Sequence, residues 1–235
     1  MNKDSVFLVA GGLLCVLDGF PESWREDVLN TLLFSQLYAS SEENKFSSTE
    51  QWHARYISAM GMAKWSRPVY RSDSFEPDKD EVVVLKDLLR KKILDVLGDN
   101  QIEPLERMIG CIEQSPDPLV VWAMLKEHAV ATVQTEEASE VSTIVLQVRL
   151  LGAGPVVYSV FACFSTTEEV EVDFFNQRFV GSHIVGKVSL DVSLHVLDKV
   201  SYKRSKVREK ILDELPDTKN ELVLDLSSEC SCLLE

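Results

Sequence analysis

Four histidines, five cysteines and one acidic run are the residues of this 235-residue chain whose types could carry chemistry. Metal binding needs ligands grouped on one helix face or one strand end, and His53, His128, His183 and His195 show no such grouping. His195 follows Asp191 by four residues in an alternating run, which puts both on one strand face about 13 Å apart. That is too far for a direct hydrogen bond, and His195 reads as solvated. Ser182 and His183 are neighbours, and neighbours on a strand face opposite ways, so they form no nucleophile–base pair. Glu169, Glu171 and Asp173 would share a strand face and could hold a hard cation. Like charges on a wet face also protect an exposed edge from aggregation, and that reading is preferred.

Cys15, Cys111 and Cys163 sit in apolar runs, where cysteine packs as a small hydrophobe. Cys230 and Cys232 form a close pair near the end of the sequence, without further ligands nearby. An odd cysteine count with irregular spacing points to a reducing compartment. Gly152-Ala153-Gly154-Pro155 is not a dinucleotide fingerprint, because it lacks a third glycine and a strand pattern follows it. It reads as a hairpin turn. The sequence contains neither a phosphate loop nor a nucleophile elbow. On these grounds no catalytic residue, cofactor or metal ligand is assigned.

The positive signal is a cluster of bases. Lys199, Lys203, Lys206 and Lys210 recur at spacings of four, three and four, which places them on one helical stripe. Arg204 and Arg208 widen it. The surrounding charge is acidic: the net charge is −14, and residues 1–129 and 130–235 carry −7 each. Such a field opposes general nucleic-acid binding and anionic membranes. The interaction residues expected are therefore Lys199, Lys203, Arg204, Lys206 and Lys210, facing an acidic protein or a second copy of the chain.

Hydrophobic spacing outlines the elements that would position these residues. Trp24, Val28, Leu32 and Leu33 recur at helical spacing after a capping pattern at Ser23 and Glu26. Further helices are expected around Trp52, Tyr56 and Met60, from Val82 through Leu89 and Ile93, from Ile102 to Ile112, and after Asp117-Pro118. Residues 6–17 read as a buried strand or short helix, and 62–75 as an edge strand or extended connector. Residues 141–151, 169–175 and 186–198 alternate apolar and polar, whereas 156–164 is apolar on both faces. Residues 179–185 add a strand, 201–215 a helix and 221–226 a last strand. The expected fold class is α+β, with N-terminal helices packed on a C-terminal antiparallel meander and one late helix. A single domain covers 1–235, helical to about 129 and β-rich to 226, with a tail at 227–235.

The function expected first is a non-catalytic acidic protein of interaction, assembly or regulation, self-associating or bound to a protein partner, in the cytoplasm. No signal peptide is read, since Lys3 is offset by Asp4 and no cleavage pattern follows residue 17. The alternative is a toxin-like or membrane-inserting effector, because 143–151 and 156–164 would make a hairpin of spanning length. Against it stands the second strand, read as lacking a polar lumen face. An enzyme without a recognisable motif is the third reading.

Overall fold

The computed structural model describes residues 5–97, 102–134 and 140–227. Cys230, Cys232 and all of the tail beyond Ser227 lie outside the described residues. Among the described residues ten strands and seven helices follow one another. They are β1 (Ser5–Val9), β2 (Gly12–Val16), α1 (Arg25–Glu42), α2 (Thr49–Met62), β3 (Trp65–Phe75), β4 (Val82–Val84), α3 (Leu85–Leu97), α4 (Ile102–Glu113) and α5 (Pro118–Ala129). After them come β5 (Val130–Gln134), β6 (Glu140–Gly152), β7 (Val156–Thr166), β8 (Arg178–Val180), β9 (Ile184–Leu197), α6 (Lys199–Arg204), α7 (Val207–Glu214) and β10 (Val223–Asp225).

Eight strands form one sheet in the order β10-β1-β2-β6-β7-β9-β3, with β5 paired to the first part of β6. Pairing is antiparallel except between β2 and β6, which run parallel. Helices α1, α2, α6 and α7 cover one face through Trp24, Leu32, Trp52, Met60, Tyr202 and Ile211. Helices α3, α4 and α5 cover the other through Leu89, Met108, Ile109, Trp122 and Leu125.

This corrects the expected fold class. The sheet is mixed and central, it takes β1, β2 and β3 from the N-terminal part, and helices are interspersed among strands on both of its faces. The physical reason lies at residues 6–17, which are apolar at nearly every position. Such a run gives no period from which to count strands. It folds as the β1–β2 hairpin, buried on both sides, turning through Ala10 and Gly11 at φ 43° and 76°.

Local readings fared unevenly. Asp117 does cap α5, its Oδ1 accepting from Val120 N at 3.3 Å with Pro118 in the first turn. The helix expected from Val82 starts at Leu85, because Val82–Val84 first pairs with β8. Residues 169–175 are turn and loop. Phe174 and Phe175, adjacent and both fully buried, lie in the turn, so the alternating pattern does not form a strand there. The helix expected at 201–215 breaks between α6 and α7, where Lys206 takes a left-handed φ of 51°. Cys163 is a free thiol, whereas Cys111 is disulfide-bonded, which removes one support for a reducing compartment. Among the described residues no helix is long and apolar enough to cross a membrane.

Candidate functional site

The three central strands β6, β7 and β9 are the longest adjacent set in the sheet, at 13, 11 and 14 residues. Alternation sorts their side chains onto two faces. Toward α3–α5 point Ile144, Leu146, Val148 and Leu150 from β6, Val160, Ala162 and Phe164 from β7, and Val188, Leu190 and Val192 from β9. All ten are apolar and buried. The opposite face, under α1 and α2, is mixed. Register aligns Gln147, Phe161 and Asp191 in one row, Arg149, Ser159 and Ser193 in the next, and Leu151, Val157 and His195 in a third. The face of β9 expected to be wet is covered at its C-terminal end, where Ser193 and His195 are buried and His195 is 1% exposed, whereas Lys187 is exposed and Ser189 and Asp191 are half-buried.

Arg149 stands at the centre of this face and is fully buried. Its Nη2 donates to Gln147 Oε1, and its guanidinium lies 5.4 Å from the centre of the Tyr56 ring. Nε and Nη1 have no hydrogen-bond partner, and among the described residues no carboxylate pairs with it. A Cβ on Gly12 would sit 2.5 Å from Nη1, so the glycine in β2 leaves the room that the guanidinium fills. An unpaired buried charge costs several kcal/mol, so this residue does not serve stability.

Its neighbours feel it. Burial, with the charges of Arg67, His53 and Arg149, pushes His195 down to about 3, so the ring is neutral. Its Nε2 has no partner and its Nδ1 lies 3.5 Å from Ser193 Oγ. Burial and Arg149 also push Lys45 down to about 7. Lys45 Nζ donates to His128 O at 2.6 Å and sits 5.4 Å over the Trp52 ring.

Beside this face opens a cleft of about 520 Å³ lined by Thr49, Glu50, His53, Tyr70, Cys163 and Asp191. His53 Nδ1 meets Asp191 Oδ2 at 3.2 Å, and the imidazole stacks on Phe161 with ring centres 4.1 Å apart. Burial pushes the Asp191 carboxyl up, but hydrogen bonds from His53, Ser72 and Tyr70 outweigh it and hold the carboxyl below the usual range. His53–Asp191 has the form of an oriented base, and the same cleft holds the hydroxyls of Thr49, Tyr70, Ser72 and Ser189. Burial pushes the Cys163 thiol up to about 11, against a hydrogen bond with Thr49, so it stays protonated. Ser193 and His195 are adjacent but closed to solvent.

The residues singled out in the sequence fall elsewhere. Lys199, Lys203 and Arg204 lie on α6, Lys206 at the break, and Lys210 on α7. Lys199 and Lys203 Nζ sit 5.8 and 5.2 Å over the Trp24 ring. Lys210 lines a separate groove of about 560 Å³ with Phe34, Tyr38, Asp213 and Glu214. His183 is exposed and accepts or donates with Thr167 Oγ1 at 3.2 Å. The buried polar rows were missed because β6, β7 and β9 contribute only two, one and three polar residues to them. Their signal is collective, and it needs the register.

Neither a family model nor a curated protein matches the chain. Among solved structures, a delta-endotoxin overlaps 77% of this chain and 82% of its own, with a TM-score of 0.42 and 11% identity. The activated Cyt2Ba monomer from Bacillus thuringiensis subsp. israelensis overlaps 79% of this chain and 96% of its own, with a TM-score of 0.42 and 7% identity. The Evf virulence factor overlaps 94% and 80%, with a TM-score of 0.37 and 8% identity. Likeness at this level assigns neither a family nor an activity.

Proposed function

We propose that this chain is a toxin-like, membrane-inserting protein whose folded form stores three spanning strands between two helical layers. One observation carries this reading. β6, β7 and β9 are adjacent and at least as long as the roughly 9–11 residues that a tilted strand needs to cross a bilayer. Each has an apolar stretch on one side, and the other side mixes Gln147, Arg149, Ser159, Asp191, Ser193 and His195 with Val145, Leu151, Val157 and Phe161. One side suits lipid, and the polar positions of the other suit a lumen. The sequence-level objection weakens, since Ser159 gives β7 a polar position in register with Arg149 and Ser193. The buried guanidinium also gains a purpose, because a lumen would hydrate it.

Insertion requires the helical layers to leave the sheet. A barrel needs about eight strands, so several copies must contribute. Self-association, the first expectation from the sequence, thus becomes a step on the membrane.

Dye release from liposomes tests the reading. Release is expected from phosphatidylcholine vesicles with or without phosphatidylserine, and silence across these lipids and from pH 4 to 8 overturns it. Planar-bilayer recordings then test the lumen assignment. Arg149→Gln is expected to shift the reversal potential toward cation selectivity, and an unchanged potential places Arg149 outside any conducting path.

A further inference from the structure

The end of the sheet at which β6 turns into β7 is also where α6 begins. Leu197 N donates to Pro155 O at 3.2 Å, and the next residue, Asp198, donates its N–H to Lys64 O at 3.0 Å. Asp198 then caps α6, accepting from Val200 N and Ser201 N at 3.1 and 3.0 Å. The basic cluster therefore stands beside the β6–β7 turn. That turn carries no charge, and its Ala153 and Gly154 are exposed.

The charges of the cluster are available. Arg208 is tied to Glu26 and Asp27 at 2.8 and 3.4 Å. Among the described residues no carboxylate pairs with Lys199, Lys203, Arg204 or Lys206. Amid them Val200 is 74% exposed, the most exposed large apolar side chain among the described residues. The ammonium groups of Lys199 and Lys203 lie over the largely buried Trp24 ring, and Lys203 is exposed. Cations on long stems around an apolar tip suit a bilayer interface, where the charge stays with phosphates and the carbon sinks below them.

We propose that the Lys199, Lys203, Arg204 and Lys206 surface with Val200 is the docking face for an anionic lipid bilayer, and that docking presents the β6–β7 turn to the membrane. This rests on the membrane-inserting reading and adds its orientation. The overall charge of −14 sharpens the point. An acidic molecule approaches an anionic surface only through its basic end, so orientation follows from electrostatics.

Co-sedimentation with phosphatidylcholine vesicles, with and without phosphatidylserine, tests the surface, with circular dichroism to establish folding of each variant. The Lys203→Glu, Arg204→Glu double variant is expected to bind serine-containing vesicles at least about tenfold more weakly. The matched Lys79→Glu, Lys91→Glu control changes net charge equally on other surfaces and is expected to bind within about twofold of the unaltered chain. Salt at about 0.5 M should erase the difference, and Val200→Ser should weaken what binding remains. Equal loss in both double variants, or in neither, overturns the proposal. So does polyglutamate that displaces the vesicles while Val200→Ser changes nothing, which would make the face a dock for an acidic protein. Dye release that ignores the cluster on every vesicle overturns the docking face and leaves insertion standing. Cluster-dependent binding without any release supports the face and removes insertion.

Discussion

Arg149 and His195 carry the sharpest expectations at the scale of single residues. Arg149 has two nitrogens without partners and no acid beside it, in a site where a thioether chain would fit among Tyr56, Gln147 and Leu14. Arg149→Met is expected to raise unfolding free energy by about 1–3 kcal/mol, read from urea denaturation, and to slow dye release. A destabilised Arg149→Met would mean that the guanidinium is structurally required. His195 gives a pH dependence of definite sign. Its folded pKa of about 3 lies below its ordinary 6.5, so the unfolded chain binds the extra proton between those values. The His195 contribution is fully present above pH 6.5 and falls by up to about 4 kcal/mol as pH drops toward 3. His195→Leu should flatten that acid limb, and a melting temperature with unchanged pH dependence would refute the assignment. Asp191, whose carboxyl is held low, loses its contribution in the same direction at lower pH still. Lys45 contributes above pH 7 in the same sense, since it is lowered from 10.5 to about 7.

Between elements, the β1–β2 turn is a tight junction with α5. Gly11 has φ 76°, and a Cβ there would stand 2.3 Å from His128 Cβ at the end of α5. Gly11→Ala meets both backbone strain and a steric clash, and is expected to cost about 2–4 kcal/mol in denaturant unfolding. A cost below about 0.5 kcal/mol would show that the turn and α5 separate easily. The same scale shows what periodicity reads well. Trp24, Val28, Leu32 and Leu33 did mark the buried side of an N-terminal helix, and Asp117-Pro118 did mark a helix start. It shows also where spacing misleads. The lysine spacing implied one continuous stripe, but Lys206 in a left-handed conformation divides it, and only the α6 part stands beside the β6–β7 turn.

At the scale of the whole molecule, the two interfaces of the sheet differ in kind. The α3–α5 side is almost wholly apolar, whereas the α1–α2 side adds to its own apolar cluster the buried polar groups of Asn30, Thr31, Ser35, Gln36 and His53 from the helices and Gln147, Arg149, Ser159 and Ser193 from the sheet. A polar interface costs less to open into water than an apolar one, because its groups find water as a partner. Hydrogen exchange on vesicles is therefore expected to show α1 and α2 losing protection early and β6, β7 and β9 keeping theirs. Loss of protection in the three strands together with the helices would instead signal global unfolding on the lipid.

The sequence by itself determined most elements, because helix and strand periods are local properties of side-chain spacing. It also marked the long alternating run ending at Leu197, the edge character of 65–75 and the basic cluster after Asp198. It could not determine that α1 and α2 lie over the polar side of that run, since a polar strand face looks the same whether water or a helix covers it. Nor could it bring Arg149, Ser159 and Ser193 into one row, or set β2 parallel to β6 across more than a hundred intervening residues. Those are decided by register and layering, which arise only when apolar faces from distant segments are buried together.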